Sequence, residues 1–258
     1  MSPRPLLSEL SGVPRTLLWT AYCRAEMARA GQLHDPHAIR ICEAMDLDLA
    51  KEFGRPDPCF AKRAQAFDRR LRIFLEKNPG SDVVSLGEGL ETQRYRVSGY
   101  NRWISVDLPE AIRVREFFLP SGPAFVHRAM SALDVDWLDE LESPKCFIEA
   151  QGLFMYLEPH RVRSLLETIV HRVSGTLMFD VVPPWVAWGS RLRPPLTLRF
   201  RMPVMPWGVS PRRLASLLPT WAERPVDVEL IPIDLPRVPI SRMPFGFKAQ
   251  TVAAHVMF

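Results

Sequence analysis

Cysteine pairs and long apolar runs are both missing from this chain, and each absence excludes a class of protein. The 258 residues include four cysteines with no Cys-x-x-Cys pair, which argues against a zinc site or a disulfide framework. No run approaches the ~18 apolar residues of a membrane span, and no charged segment with a following apolar stretch marks a signal peptide. We therefore expect a cytoplasmic protein with reduced, structural thiols.

Acidic residues are missing from one long segment. The net charge of +4 says little by itself, because acids and bases interleave through residues 1–180, unlike the clustered basic residues of a nucleic-acid-binding protein. Between Asp180 and Glu223, however, there is no acid. The arginines of that stretch are Arg191, Arg193, Arg199, Arg201, Arg212 and Arg213. Residues 183–244 also hold 13 of the 25 prolines, too many for a regular sheet core, so we expect an irregular insert over the sheet.

Hydrophobic periodicity predicts a helical N-terminal part followed by an α/β core. The predicted N-terminal helices are 14–30, 37–50 and 60–76. The predicted strands are 83–87, 102–106, 124–127, 145–150 and 176–182, alternating with helices 91–97, 109–118, 134–141 and 159–172. A further helix is predicted at 210–218, and a closing strand at 249–258 with 226–234 as its partner. Strands that alternate with helices predict a mostly parallel sheet.

We expect one domain over residues 1–258. Residues 1–80 form a helical lid, 81–182 a ligand-binding core, 183–244 the insert that covers the substrate, and 245–258 the closing strand. The length suits a single well-packed α/β domain with elaborations.

A glycine turn and a downstream acid predict a nucleotide-type site. Gly87 and Gly89 follow an apolar run, and Asp107 ends the next apolar run twenty residues after Gly87. Such glycines let the backbone approach a ligand closely, and such an acid can bind a ribose diol. Thr92 stands where a dinucleotide fingerprint has its third glycine, which favours an adenosine ligand without a diphosphate. S-adenosylmethionine (SAM) is the commonest ligand of that kind. The alternatives are an ordinary strand-to-helix turn and an acid that caps the following helix.

Other candidate residues follow later strands. Leu133 and Asp134 come after the third strand, where a loop can lie along adenine or simply begin a helix. Gln151 ends the fourth strand, and Tyr156 shortly after it is either a substrate hydrogen-bonding group or a buried tyrosine. The histidines lack partners at metal-ligand spacing, so no metal site is expected.

The insert offers candidate substrate-binding groups. Arg199, Arg201 and Trp207 lie in its basic, tryptophan-containing stretch, which would suit a flat, anionic substrate through ion pairing and stacking. The alternative is a solvated face.

Together these motifs resemble the leucine carboxyl methyltransferase superfamily, and within it the tetracenomycin-type polyketide O-methyltransferase branch. The family pattern Leu-Gly-x-Gly-Leu-[Asp/Glu]-Thr-x-x-Tyr-Arg matches residues 86–96 without a gap. The remaining matches are Asp107-Leu108-Pro109, the Gly-Leu-x-Met-Tyr-Leu block at 152–157, Phe-Asp at 179–180 and Met-Pro-Trp-Gly at 205–208.

The resemblance implies a class I SAM-dependent methyltransferase fold with a Rossmann-like, mostly parallel seven-stranded sheet, a helical lid and an insert over the substrate. It also implies roles for residues. Gly87 and Gly89 approach the methionine part of SAM, Asp107 with Leu108 beside it takes the ribose hydroxyls, and Leu133 with its neighbours flanks adenine. Arg63, next to Lys62, is similar to the family arginine that pairs with the SAM carboxylate. Gln151 stands where many relatives have glutamate, which implies an altered contact with the SAM amino group.

The expected function is O-methylation in secondary metabolism, with a carboxylate of a small aromatic or polyketide-like metabolite as the acceptor. A carboxylate is ionised at neutral pH and needs no general base, and Tyr156 and the insert arginines would orient it. The alternatives are methylation of a phenol or other hydroxyl, and a non-catalytic SAM-binding protein. Thr92 argues against an NAD-dependent oxidoreductase. A nucleic-acid methyltransferase is also disfavoured, because this chain has no aromatic-Pro catalytic tetrapeptide such as Asn-Pro-Pro-Tyr. We expect a monomer or homodimer whose partner is a small anionic acceptor, with neither nucleic acid nor membrane as a partner.

Overall fold

The computed structural model describes residues 4–234 and 250–258, and the chain begins with a group of helices. Their bounds are α1 Arg4–Glu9, α2 Thr16–Arg29, α3 Pro36–Ala44, α4 Leu49–Phe53 and α5 Cys59–Lys77. The single helix predicted over 37–50 is wrong, because Asp46 adopts a left-handed φ of 53°. Asp48 then caps the new helix α4 by accepting a hydrogen bond from the Lys51 N–H at 2.9 Å.

In the described part of the chain, seven strands form one mixed sheet in the order β3-β2-β1-β4-β5-β7-β6. The strands are β1 Asp82–Leu86, β2 Trp103–Asp107, β3 Phe125–Ala129, β4 Cys146–Ala150, β5 Gly175–Val181, β6 Asp227–Asp234 and β7 Gln250–Met257. The first five pair in parallel, whereas β7 runs antiparallel to both β5 and β6. The predicted class I, mostly parallel seven-stranded sheet is therefore confirmed, together with the pairing of the closing strand.

Helices flank the sheet at the predicted places, with two corrections. The remaining α-helices are α6 Pro109–Phe118, α7 Pro159–Arg172, α8 Pro184–Ser190 and α9 Pro211–Ala222. Helix α7 has the predicted bounds, because Pro159 starts it and its apolar stripe is buried against the sheet. The helices predicted at 91–97 and 134–141 are instead short 3-10 helices, Gln93–Tyr95 and Val135–Glu140. Helix α8 was not predicted.

The irregular segment is shorter than the predicted 183–244. Strand β6 lies inside that range as the outer strand of the sheet, and α9 packs against α7. Residues 235–244, and 245–249 of the predicted closing strand, lie outside the described residues. We use "the insert" for residues 183–210, which connect β5 to α9.

The insert packs on the helical lid. One apolar cluster joins lid residues such as Leu17 and Phe60 to insert residues such as Val186, Phe200 and Met205. Helix α2, the start of α5 and the insert therefore form one layer above the carboxyl ends of the parallel strands, whereas the rest of α5 packs against the sheet. All four cysteines are buried and free. Within residues 4–234 and 250–258, no helix combines the length and apolarity that crossing a bilayer requires.

Candidate active site

A cavity of about 310 Å³ lies between this layer and the carboxyl ends of β1, β2 and β4. In the strand order, β1 pairs with β2 on one side and with β4 on the other, so the chain reverses its winding direction there. Open α/β sheets bind ligands at this kind of switch point. The glycine turn after β1 and the motif after β4 both contribute to the wall, and α2 and the insert cover it.

The glycine turn requires glycine for two separate reasons. Gly87 and Gly89 have φ values of 63° and 53°, which L side chains rarely adopt. A Cβ at Gly87 would also lie 2.9 Å from Leu153 Cδ1, and one at Gly89 would lie 2.9 Å from Leu17 Cβ of the lid. The turn is thus fitted to the lid as well as open to the cavity.

Asp107 is held at the end of β2 by backbone donors. Its Oδ2 accepts from the Gly89 N–H at 2.8 Å, and its Oδ1 accepts from the Leu108 N–H at 2.7 Å. Burial raises the pKa of Asp107 to about 6, and those two donors oppose the rise. The carboxylate is ionised at neutral pH and keeps free lone pairs, which fits a pair of ribose hydroxyl donors.

Arg63 reaches the cavity from α5 and is anchored to the end of β5. Its Nη1 lies 3.2 Å from Asp180 Oδ2, while Asp180 Oδ1 accepts the Gly152 N–H at 2.6 Å. Gly152 has a φ of 72°, and a Cβ there would lie 2.7 Å from Arg63 Nη1. The buried Arg63 Nε has no hydrogen-bond partner in the described part of the chain. The neighbouring Lys62 is exposed and does not line the cavity, so the register chosen from the sequence is the one that brings an arginine to the site.

Gln151 is fixed through its amide nitrogen. That nitrogen donates to Gln93 Oε1 at 2.9 Å and to Glu149 Oε1 at 3.2 Å. The buried Gln151 Oε1 has no partner among the residues described. Behind it, Glu149 is fully buried and accepts from Ser85 Oγ at 3.1 Å, and burial raises its pKa well above the usual value. The neutral Gln151 Oε1 is thus left as an acceptor for an ammonium group. It would attract that group by its dipole, whereas a glutamate at this position would do so by a full negative charge.

Tyr156 lines the cavity beside the lid. Burial raises the pKa of its hydroxyl to about 12, although Thr16, the first residue of α2, opposes the rise. Tyr156 therefore stays protonated at neutral pH, where it can orient a bound oxygen but cannot accept a proton as a base.

The predicted adenine residues lie just beyond the cavity wall. The lining after β3 consists of Ser131 and Ala132, whereas Leu133 packs partly buried against the sheet cluster. The N–H groups of Leu133 and Asp134 donate back to Ser131 at 3.2 and 3.0 Å. The residues of this loop that line the cavity are therefore two positions closer to the strand than predicted.

None of the three predicted insert residues lines the cavity. Arg199 and Arg201 are exposed, because the chain alternates along this stretch and turns Phe200 and Met202 inward. Trp207 is buried on the sheet cluster, with its ring 5.8 Å from that of Trp221. The insert instead contributes the apolar side chains of Val186, Met202 and Met205 to the lining, next to Val182 just after β5.

A buried ionic network, which was not predicted from the sequence, joins the lid to the glycine turn. Arg24 of α2 contacts Glu91 Oε2 at 3.0 Å and donates to the Leu90 carbonyl at 2.6 Å. The Thr92 hydroxyl donates to Asp35 Oδ2 at 2.6 Å. Thr92, which stands where a dinucleotide fingerprint has its third glycine, is thus bonded to the lid. Against the opposing effect of burial, Arg24 and Arg96 lower the pKa of Glu91 to about 2. The available signal was the presence of two acids and two arginines within residues 88–96.

Comparisons with known proteins agree with this fold and these motifs. No family model matches the chain. The tetracenomycin polyketide synthesis O-methyltransferase TcmP of Streptomyces glaucescens is 29% identical over 219 residues, 81% of this chain and 80% of the relative. The predicted resemblance to the tetracenomycin-type branch is thereby confirmed.

Solved structures show the same fold at low identity. The N-methyltransferase NodS from Bradyrhizobium japonicum WM9, in complex with S-adenosyl-L-homocysteine, is 14% identical with a TM-score of 0.50, covering 81% of this chain and 95% of NodS. A putative SAM-dependent methyltransferase from Listeria monocytogenes is 10% identical with a TM-score of 0.51, covering 76% of this chain and 98% of that protein. These likenesses place the chain in the class I methyltransferase fold.

Proposed function

We propose that this protein is a SAM-dependent O-methyltransferase that esterifies a carboxylate of a small aromatic or polyketide-like metabolite. The enzyme class and the cofactor predicted from the sequence agree with the comparisons. The four buried, free cysteines support a location in the cytoplasm. The carboxylate acceptor rests on the chemistry of the cavity.

The described residues fit SAM. Gly87 and Gly89 line the cavity with backbone and no side chain, and Asp107 presents an ionised carboxylate for the ribose. Gln151 and Arg63 both line the cavity, and each has a polar atom without a partner among the described residues. The Gln151 Oε1 suits the amino group of an amino acid, and the Arg63 Nε suits its carboxylate. When bound, SAM supplies an electrophilic methyl carbon on a sulfonium. The residues here bind and orient it, and lid and insert exclude water.

The absence of a free base in the described lining carries the choice of acceptor. Glu88 contacts Arg115 at 2.6 Å, and Glu91 is bound by two arginines. Asp107 is assigned to the ribose hydroxyls, Tyr156 stays protonated, and no histidine is among the described residues that line the cavity. A phenol, with a pKa of about 10, would need help to ionise, whereas a carboxylate is already ionised at neutral pH.

The apolar walls favour the same acceptor. Trp19, Phe60 and Met205 line the cavity, so an acceptor carboxylate there loses its water shell. Transfer of a methyl cation to an anion neutralises both charges, and a low-dielectric site does not oppose that change. The Tyr156 hydroxyl is a neutral donor that can orient the acceptor and leave its nucleophilicity largely intact.

Methyl transfer from labelled SAM to matched acids and phenols tests this proposal. The acceptors are 2-naphthoate and anthraquinone-2-carboxylate, with 2-naphthol and 2-hydroxyanthraquinone as their phenolic counterparts. We expect label in the acids only, and mild alkali should release it as methanol because the product is an ester. An alkali-stable methyl ether from the phenols would exclude the carboxylate assignment. SAM binding without transfer to any member would favour a non-catalytic protein.

A further inference from the structure

The insert carries an outer face that the cavity does not use. Its large apolar side chains are unusually exposed, with Trp188 at 64%, Leu192 at 69% and Leu198 at 106% of their reference areas. Arginines alternate with them along the chain and are also exposed. We call this the insert face, and it consists of Trp188, Arg191, Leu192, Arg193, Leu198, Arg199, Arg201 and Val204.

Local hydrogen bonds fix the projecting tip of this face. The N–H groups of Leu196 and Thr197 donate to the Phe200 carbonyl at 2.9 and 3.2 Å, which closes a tight turn with Leu198 and Arg199 at its tip. The Thr197 hydroxyl bonds the Glu52 carbonyl of the lid, and Phe200 is buried beneath. Leu198 is therefore held in solvent by a structured turn that is tied to the rest of the protein.

The charged residues of the insert face are all positive. No acid occurs between Asp180 and Glu223, and the lid adds the exposed Lys51 and Arg55 on either side of Gly54, which lies next to Thr197. The exposed acids that lie closest to Lys51 in the chain are Asp46 and Asp48, which precede α4. The described surface here combines projecting apolar groups with six cations.

We propose that the insert face binds the surface of an anionic lipid bilayer. Basic residues around a projecting Trp and Leu match a membrane interface, where the cations meet lipid phosphates and the apolar groups enter the headgroup region. Two copies related by a two-fold axis would place these arginines against each other, which disfavours self-association. A protruding tip needs no complementary pocket in a bilayer, whereas a protein partner would have to provide one.

This proposal departs from the prediction, made from the sequence, that a membrane is not a partner. That prediction rested on the lack of a spanning segment, and attachment to a surface requires none. Binding through the insert face would also orient the cavity relative to the membrane. Val186, Met202 and Met205 of the same insert line the cavity, so binding would bring the insert side of the cavity close to the lipid, where apolar acceptors dissolve.

Vesicle co-sedimentation of the full chain tests the proposal. The vesicles contain 30% phosphatidylglycerol in phosphatidylcholine, or phosphatidylcholine alone. We expect binding to the anionic vesicles only, and its loss in high salt. Arg191→Gln/Arg193→Gln should weaken binding about 25-fold, since each basic residue near an anionic surface contributes about fivefold. Leu198→Ser should weaken it at least about threefold, because an apolar contact with lipid is lost.

Matched control variants distinguish binding by the insert face from an effect of exposed arginines or apolar side chains anywhere on the protein. Arg69→Gln/Arg161→Gln removes two exposed arginines from α5 and α7, and Ile73→Ser removes an exposed apolar side chain from α5. Both should bind vesicles within about twofold of wild type, and S-adenosylhomocysteine affinity should show that every variant is folded. Failure of wild type to bind anionic vesicles, or equal losses in controls, overturns the proposal. Binding to polyglutamate without vesicle binding would identify an acidic protein partner instead, and a dimer lost in Leu198→Ser would identify a second copy.

Discussion

Replacing Arg96 with methionine is expected to destabilise the protein by about 3–5 kcal/mol, the usual cost of removing one partner of a buried ionic group. Arg96 is only 5% exposed and contacts Asp68 at 2.7 Å, Asp35 at 3.0 Å and Glu91 at 2.9 Å. Methionine keeps much of the side-chain volume but leaves these carboxylates short of a cation. Urea unfolding, followed by circular dichroism, measures the change in the free energy of unfolding.

Arg113→Met is the matched control for this prediction. Arg113 pairs with Glu9 at 2.9 Å, but both side chains are about half exposed. Exposed pairs of this kind contribute little, so we expect a change below about 1 kcal/mol. A loss below about 1 kcal/mol for Arg96→Met as well would show that the network does not hold the lid to the glycine turn.

Replacing Arg63 with methionine is expected to lower the affinity for S-adenosylhomocysteine about 100-fold. Truncating one partner of a buried, hydrogen-bonded charge pair typically costs about 2–5 kcal/mol of binding free energy, and tenfold in affinity corresponds to about 1.4 kcal/mol. 5′-Methylthioadenosine lacks the amino-acid part of that ligand, so its affinity should change by less than about twofold. Isothermal titration calorimetry with both ligands gives the two ratios.

Lys62→Met provides the control at the neighbouring position. Lys62 lies outside the cavity lining, and its replacement should leave both affinities within about twofold of wild type. Because Arg63 also pairs with Asp180, its loss will reduce stability, and 5′-methylthioadenosine binding reports whether the site is still intact. Equal losses for both ligands would mean that Arg63 supports the fold without contacting the carboxylate end of the ligand.

Short-range signals account for the parts of the site that were predictable from the sequence. Gly87 and Gly89 needed only their positions after an apolar run, because a left-handed turn at a strand end favours glycine. Helix α7 was predicted with its observed bounds because Pro159 and an apolar stripe act locally. Asp107 follows from the same alternation of strands and helices.

Tertiary contacts decided what the sequence could not predict. Arg199 and Arg201 point outward because Phe200 is buried against Trp19 and Phe53 of the lid, which fixes the phase of the alternating stretch. The role of Thr92 depends on Asp35, 57 residues earlier in the chain. No periodicity within either segment carries such information. The basic composition of the insert was evident, but the side of it that faces the cavity was not.

Calorimetric titration of the wild-type protein with S-adenosylhomocysteine and with NAD tests the central claim most directly. The glycine turn, Asp107, Gln151 and Arg63 together predict one S-adenosylhomocysteine site per chain with micromolar affinity, and no detectable heat with NAD. Binding of NAD without binding of S-adenosylhomocysteine would contradict the account, because Thr92 and its bond to Asp35 would then not have excluded a dinucleotide.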